Sequence, residues 1–203
     1  MSFFESTPER PPPGFEGPGN PAWMRPDGVI PGAAPAGLFL IRTNEVAVAV
    51  GDVTAYPNGF EFTVHARLHH EQLVWGKSPL DSLADPRTRQ EPEQALRVGV
   101  LYADGRRART SSYRPIPAGQ RGGGHLVLLE TGTGGTERQW DGSFWVHPLP
   151  PGGPVTFVAS WLLYEVAETR AELDSSVIQE AAGRAVILWP EEPSPASLTM
   201  PPA

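Results

Sequence analysis

Cysteine is missing from all 203 residues. Its absence excludes disulfides, thiolate metal sites, iron–sulfur clusters and a thiol nucleophile. It also removes the covalent staple on which small secreted domains depend. Lysine is nearly missing too: Lys77 stands alone, and every other cationic side chain of that pair is arginine. No apolar run approaches the ~18 residues of a membrane span. The opening residues MSFFESTPERPPPG lack the basic start and apolar stretch of a secretory signal. The default expectation is therefore a cytoplasmic chain with no membrane partner. A formal net charge of −7 argues against nucleic acid as a partner, because that binding rests on neutralising phosphates. No G-x-S-x-G, P-loop or close carboxylate pair with flanking aromatics stands out. The sequence thus points away from an enzyme and calls for no cofactor.

Proline and glycine are plentiful, at 24 and 22 residues. More than half of the prolines fall in residues 1–36 and 190–203. These stretches read as a flexible Pro/Gly-rich arm and a flexible Pro-rich tail. Residues 37–189 remain as one domain, long enough to bury a core. Within it, short β-type runs recur at the spacing of a sandwich or barrel, and an all-β, antiparallel two-sheet sandwich is the expected fold. The predicted strands are 38–42, 45–56, 60–70, 96–102, 106–113, 125–131, 143–147, 154–163 and 168–173. A polar loop is expected at 77–94, and Gly-rich loops at 119–124 and 131–136. One short helix is expected at 176–183, capped by Ser176 with Gln179 three residues on. The run 185–189 would then close the fold.

Two turns set the register. In Tyr56-Pro57-Asn58-Gly59-Phe60, Pro57 presets a type I turn and Gly59 suits the left-handed residue after it. A three-residue loop follows, with Tyr56 facing Phe60 and Asp52 facing Val64. One face then carries Val48, Val50, Tyr56, Phe60, Phe62, Val64, Ala66 and Leu68. The other carries Ala47, Ala49, Gly51, Glu61, Thr63, His65, Arg67 and His69. In the second hairpin, a two-residue Asp104-Gly105 turn would drive Arg107 and Arg109 into the core, and burying unpaired charge is costly. A three-residue loop, Ala103 to Gly105, pairs Val100 with Ala108 instead and predicts a left-handed Gly105.

The corner Leu149-Pro150-Pro151-Gly152, leading into an alternating strand, resembles the late strands of immunoglobulin-like and fibronectin-III-like sandwiches. The wider set AVGDVTAYPNGFEFTVHARL, YADGRRA, LPPGGP and ETRAELDSSVIQEAAGRAVILWP resembles an uncharacterised family of hypothetical proteins from high-GC bacteria. The resemblance covers about residues 45–190. It implies an all-β, immunoglobulin-like two-sheet sandwich, and no activity.

Several residues invite a functional reading. His65 and His69 lie about 13 Å apart along a strand, too far to share a metal ion, and His70 should face away from His69. Asp52 falls on the apolar face unless a bulge at Gly51-Asp52 turns it out. Arg106, Arg107, Arg109, Arg114 and Arg121 form a candidate anion-binding patch. Of the tryptophans, Trp145, Trp161 and Trp189 read as core, while Trp23, Trp75 and Trp140 read as partly exposed. The expected interaction surface is the flat outer face: Ala47, Ala49, Gly51, His65, Arg67 and His69, with Trp75 and Trp140. The functional expectation is a non-enzymatic interaction module that binds another protein or a second copy of itself. The alternative is a small-ligand binder or hydrolase-type enzyme with a loop pocket near Asp52, His125 and Arg121.

Overall fold

The computed structural model describes residues 21–71, 78–80, 83, 95–110 and 125–189. Trp75, Arg114, Arg121, the tail 190–203, the Gly-rich stretch 119–124 and most of the loop 77–94 lie outside the described residues. The described chain is mostly β, with twelve strands in antiparallel sheets and a helix near the C-terminus.

The largest sheet has six strands. β2 (Gly32–Ala33) and β3 (Leu38–Arg42) both pair with β4 (Val46–Tyr56). Next come β5 (Gly59–Leu68), β9 (Gln139–His147) and β8 (Val127–Thr136). The second sheet runs β11 (Val166–Asp174), β10 (Pro154–Trp161), β6 (Arg97–Tyr102), β7 (Arg107–Arg109). A third, two-stranded sheet joins β1 (Val29–Ile30) to β12 (Val186–Ile187). Residues 21–36, assigned by composition to the arm, carry β1, β2 and a strap described below. Both larger sheets feed one apolar core. Phe157 of the second sheet packs edge-on against Phe60 and Phe62 of the first, at centroid separations of 6.5 and 5.0 Å.

The β4–β5 hairpin departs from expectation at its tip. Tyr56 pairs with Gly59, so the turn spends two residues, Pro57 and Asn58. Gly59 is not left-handed; among described glycines only Gly105 and Gly153 have positive φ. Close approach is what requires Gly59: a Cβ there would overlap the Val146 carbonyl oxygen and lie 2.6 Å from the Trp145 ring. A compensating bulge restores the faces. Gly51 pairs with Thr63 and Thr54 with Glu61, so Asp52 and Val53 oppose Phe62 alone. Asp52 takes a left-handed φ of 50° and its side chain turns out to solvent. Beyond the bulge the parity is as expected, and Val48, Val50, Phe60, Phe62, Val64, Ala66 and Leu68 are all buried. Tyr56 is the exception. It is buried on the opposite face, against Trp145.

The β6–β7 hairpin agrees with the three-residue reading. Val100 pairs with Ala108, Gly105 has φ 86°, and Arg107 and Arg109 are exposed. The glycine-rich run 131–136, expected as a loop, is strand instead. It ladders onto β9 as far as Thr136–Gln139, and that pairing overrides the poor strand propensity of Gly. Extending β9 back to Gln139 carries Trp140 onto the inner face, where it is 3% exposed. Gly142 makes room for it, since a Cβ there would overlap the Trp140 ring.

The helix α1 (Ser175–Gly183) is capped by Asp174, whose Oδ1 accepts from Ser176 N at 2.8 Å, and not by Ser176. Gln179 donates to the Pro150 carbonyl rather than closing a capping box. Among the described residues no helix is long and apolar enough to cross a membrane.

Candidate functional site

Strand pairing lays the outer face of the large sheet out in rows. One row runs Phe39, Ala49, His65, Asp141, Gly134 across β3, β4, β5, β9 and β8. The next runs Gly51, Thr63, Ser143, Gly132. A third holds Arg42, Ala47, Arg67, Gln139 and Thr136. The flanking positions are small, so His65, Arg67 and Asp141 stand along the middle. Phe39 is exposed, with the Arg42 guanidinium 5.2 Å from its ring centroid.

A polar network fixes the middle. His65 Nδ1 donates to Asp141 Oδ1 at 2.7 Å, and Arg67 donates to the same oxygen at 2.7 Å. The other ring nitrogen, Nε2, lies 3.2 Å from Asp52 Oδ2. Burial raises the Asp141 carboxyl, but hydrogen bonds and charge from Arg67 and His65 outweigh it, leaving the group below the usual carboxylate range. In nucleophile–base chemistry Nε2 would face a hydroxyl or thiol. Here it faces a carboxylate, so the arrangement is an electrostatic brace.

One end of the outer face is covered. The strap 21–25 lies over it, held by Trp145 Nε1 donating to the Trp23 carbonyl and by Asn58 Nδ2 donating to the carbonyls of Ala22 and Met24. Arg25 grips both Glu61 oxygens, at 2.9 and 3.0 Å, and Thr131 donates to the same carboxylate at 2.8 Å. That hydrogen-bonded pairing holds the Arg25 guanidinium above its ordinary range. Between strap and bulge opens a cleft of about 230 Å³, lined by Arg25, Asp52, Thr54, Glu61, Phe62, Thr63, Thr131, Gly132 and Ser143.

A second, apolar feature lies on the small sheet. Ile30, Val186, Ile187, Leu188 and Trp189 are 52, 56, 57, 42 and 74% exposed. Ile30 pairs with Val186 and Val29 with Ile187, and Leu188 N donates to the Gly28 carbonyl. The run 185–189 therefore does not close the core as expected, and Trp189 is the most exposed of these side chains. Nothing in its composition distinguished it from a core strand.

The sequence-predicted residues divide accordingly. Ala47, Ala49, Gly51, His65 and Arg67 share the open outer face. Trp140 leaves that set for the core. His69 sits just past β5, where strand alternation has ended, and its ring lies tilted against that of His70, with centroids 3.9 Å apart, rather than pointing away. Among the described residues no three His, Asp or Glu side chains group to hold a metal ion. Arg106 is tied to Asp104 at 2.7 Å and lies over the Tyr102 ring, which separates it in role from Arg107 and Arg109 on β7. Asp52 does line a cleft, but His125 is not among its lining residues. Of the cleft's other members, Arg25 and Thr131 were missed because 21–36 read as arm and 131–136 as loop, and Ser143, at the start of a predicted strand, carried no local signal of a site.

Fold and surface together define an antiparallel β protein with a braced polar sheet face and a separate apolar ribbon. Comparison with protein-family models, curated proteins and solved structures found no match.

Proposed function

We propose that this chain is a non-enzymatic protein-binding module that docks a second protein chain, in the simplest case another copy of itself, through the β1–β12 ribbon. One observation carries this reading. Five of the eight large hydrophobic side chains exposed among the described residues belong to this ribbon and the two residues after it. Apolar exposure concentrated in one short segment in this way marks interaction sites rather than ordinary surface. A tryptophan beside aliphatic side chains is the composition of an interface anchor. A two-stranded sheet also leaves backbone groups unpaired along both edges, which a partner strand can complete. The outer face carrying Ala47, Ala49, His65 and Arg67 serves as a second, more polar contact. The architecture is read as an immunoglobulin-like two-sheet sandwich, supported by the single core shared between the two larger sheets.

Sedimentation velocity over a concentration series, with co-purification of the tagged protein from its native cell, tests this. The intact protein should self-associate or hold a stoichiometric protein partner. Ile187→Asp with Trp189→Ala should weaken that association at least about tenfold, and Ala49→Arg less so. A monomer with no stoichiometric partner, or undiminished association in the double variant, would remove the proposal.

A further inference from the structure

The cleft at the Asp52 bulge is a separate feature, on a different sheet from the ribbon. We infer that it binds a neutral, polyhydroxylated small molecule, a single sugar or cyclic-polyol ring. Size sets the first limit: about 230 Å³ falls below the ~300–1,000 Å³ of drug-sized ligand sites.

Chemistry sets the rest. Thr54, Thr63 and Ser143 line the cleft, and their hydroxyls take no side-chain partner among the described residues. Each hydroxyl both donates and accepts. An apolar ligand would strand all of them. An anion would meet two carboxylates, Asp52 and Glu61. A metal cation would find only Asp52 uncommitted to arginine, because Glu61 is held at both oxygens by Arg25, and the guanidinium itself repels it. A ligand of several hydroxyls fits every member: it donates to the Asp52 and Glu61 carboxylates and exchanges bonds with the three free hydroxyls. The bulge is what aims Asp52 here. Its left-handed backbone turns the carboxylate away from the core, and the His65 ring 3.2 Å away fixes its direction. Gly132, with nothing within 4 Å of a built Cβ, leaves the mouth unobstructed.

The test is a two-dimensional amide NMR titration of the full chain with D-glucose, D-galactose, D-mannose and myo-inositol, and separately with calcium chloride. At least one of the four polyols should give saturable shifts at Asp52, Thr63, Gly132 and Ser143. Thr63→Val with Ser143→Ala should weaken that binding at least about tenfold, since a site built to pair hydroxyls suffers when its own are removed. Unchanged spectral dispersion shows that this variant still folds. No saturable shift with any polyol, saturation by calcium alone, or full affinity in the variant would each overturn the inference. None of these results bears on the ribbon, which is tested by association.

Discussion

The inner face of the large sheet and the β1–β12 ribbon are built from the same kinds of residue and end in opposite surroundings. Phe60, Phe62 and Val64 are 0–1% exposed, whereas Val186, Ile187 and Trp189 are more than half exposed. β-Branched and aromatic side chains suit strands in both places. What differs is the facing element. β5 lies between β4 and β9 and opposite Phe157 of the second sheet, while among the described residues the ribbon's two strands pair only with each other. Apolar character therefore marks surface that needs covering, and only the tertiary arrangement says whether the chain covers it.

The comparison can be broken first from the inside. Phe62 touches Phe60, Phe144 and Phe157, so Phe62→Ala should cost about 3–5 kcal/mol in urea unfolding. A loss below about 1 kcal/mol would mean that the two sheets do not share a core. Gly59→Ala comes next. The added methyl meets the Val146 carbonyl and the Trp145 ring, and should cost about 1–3 kcal/mol by the same measurement. A neutral result would show that the hairpin tip turns otherwise than through Pro57 and Asn58.

The outer face yields a smaller, pH-dependent effect. Asp141 is held below the usual carboxylate range in the folded state. A depressed folded value contributes stability that is present above the unfolded value and lost as pH falls through the folded one. The carboxylate is nearly half exposed, so the network contributes at most about 1 kcal/mol after solvent screening. The stability difference between the intact protein and Asp141→Asn should be full at neutral pH and shrink below about pH 4. A difference that grew on acidification would contradict the brace formed by His65 and Arg67.

Much of the fold was legible because alternation and burial are linked one to one. From 60 to 68, every second residue is apolar, and each of those is buried. Parity survived an error at the turn: assuming three residues at Gly59 instead of two was offset by the extra residue at Asp52. The Asp104-Gly105 hairpin was legible for a different reason, since only one loop length keeps Arg107 and Arg109 out of the core. The cleft was largely hidden. Arg25 sits among prolines that read as a linker, and Thr131 to Thr136 alternate with glycines that read as a loop. Both segments owe their structure to long-range bonds, the Arg25–Glu61 pair and the β8–β9 ladder, which no local pattern announces. Trp140 and Trp189 exchanged their expected places for the same reason.

The smallest expected effect on stability tests the ribbon most directly. Urea unfolding of Ile187→Asp with Trp189→Ala, measured beside the intact protein at a concentration too low for association, asks whether that apolar surface serves the fold. If it is a docking surface, the two free energies should agree within about 0.5 kcal/mol, as for ordinary surface substitutions. A loss of about 2 kcal/mol or more, the scale of a truncated core side chain, would place Ile187 and Trp189 in the fold's own packing and contradict the account.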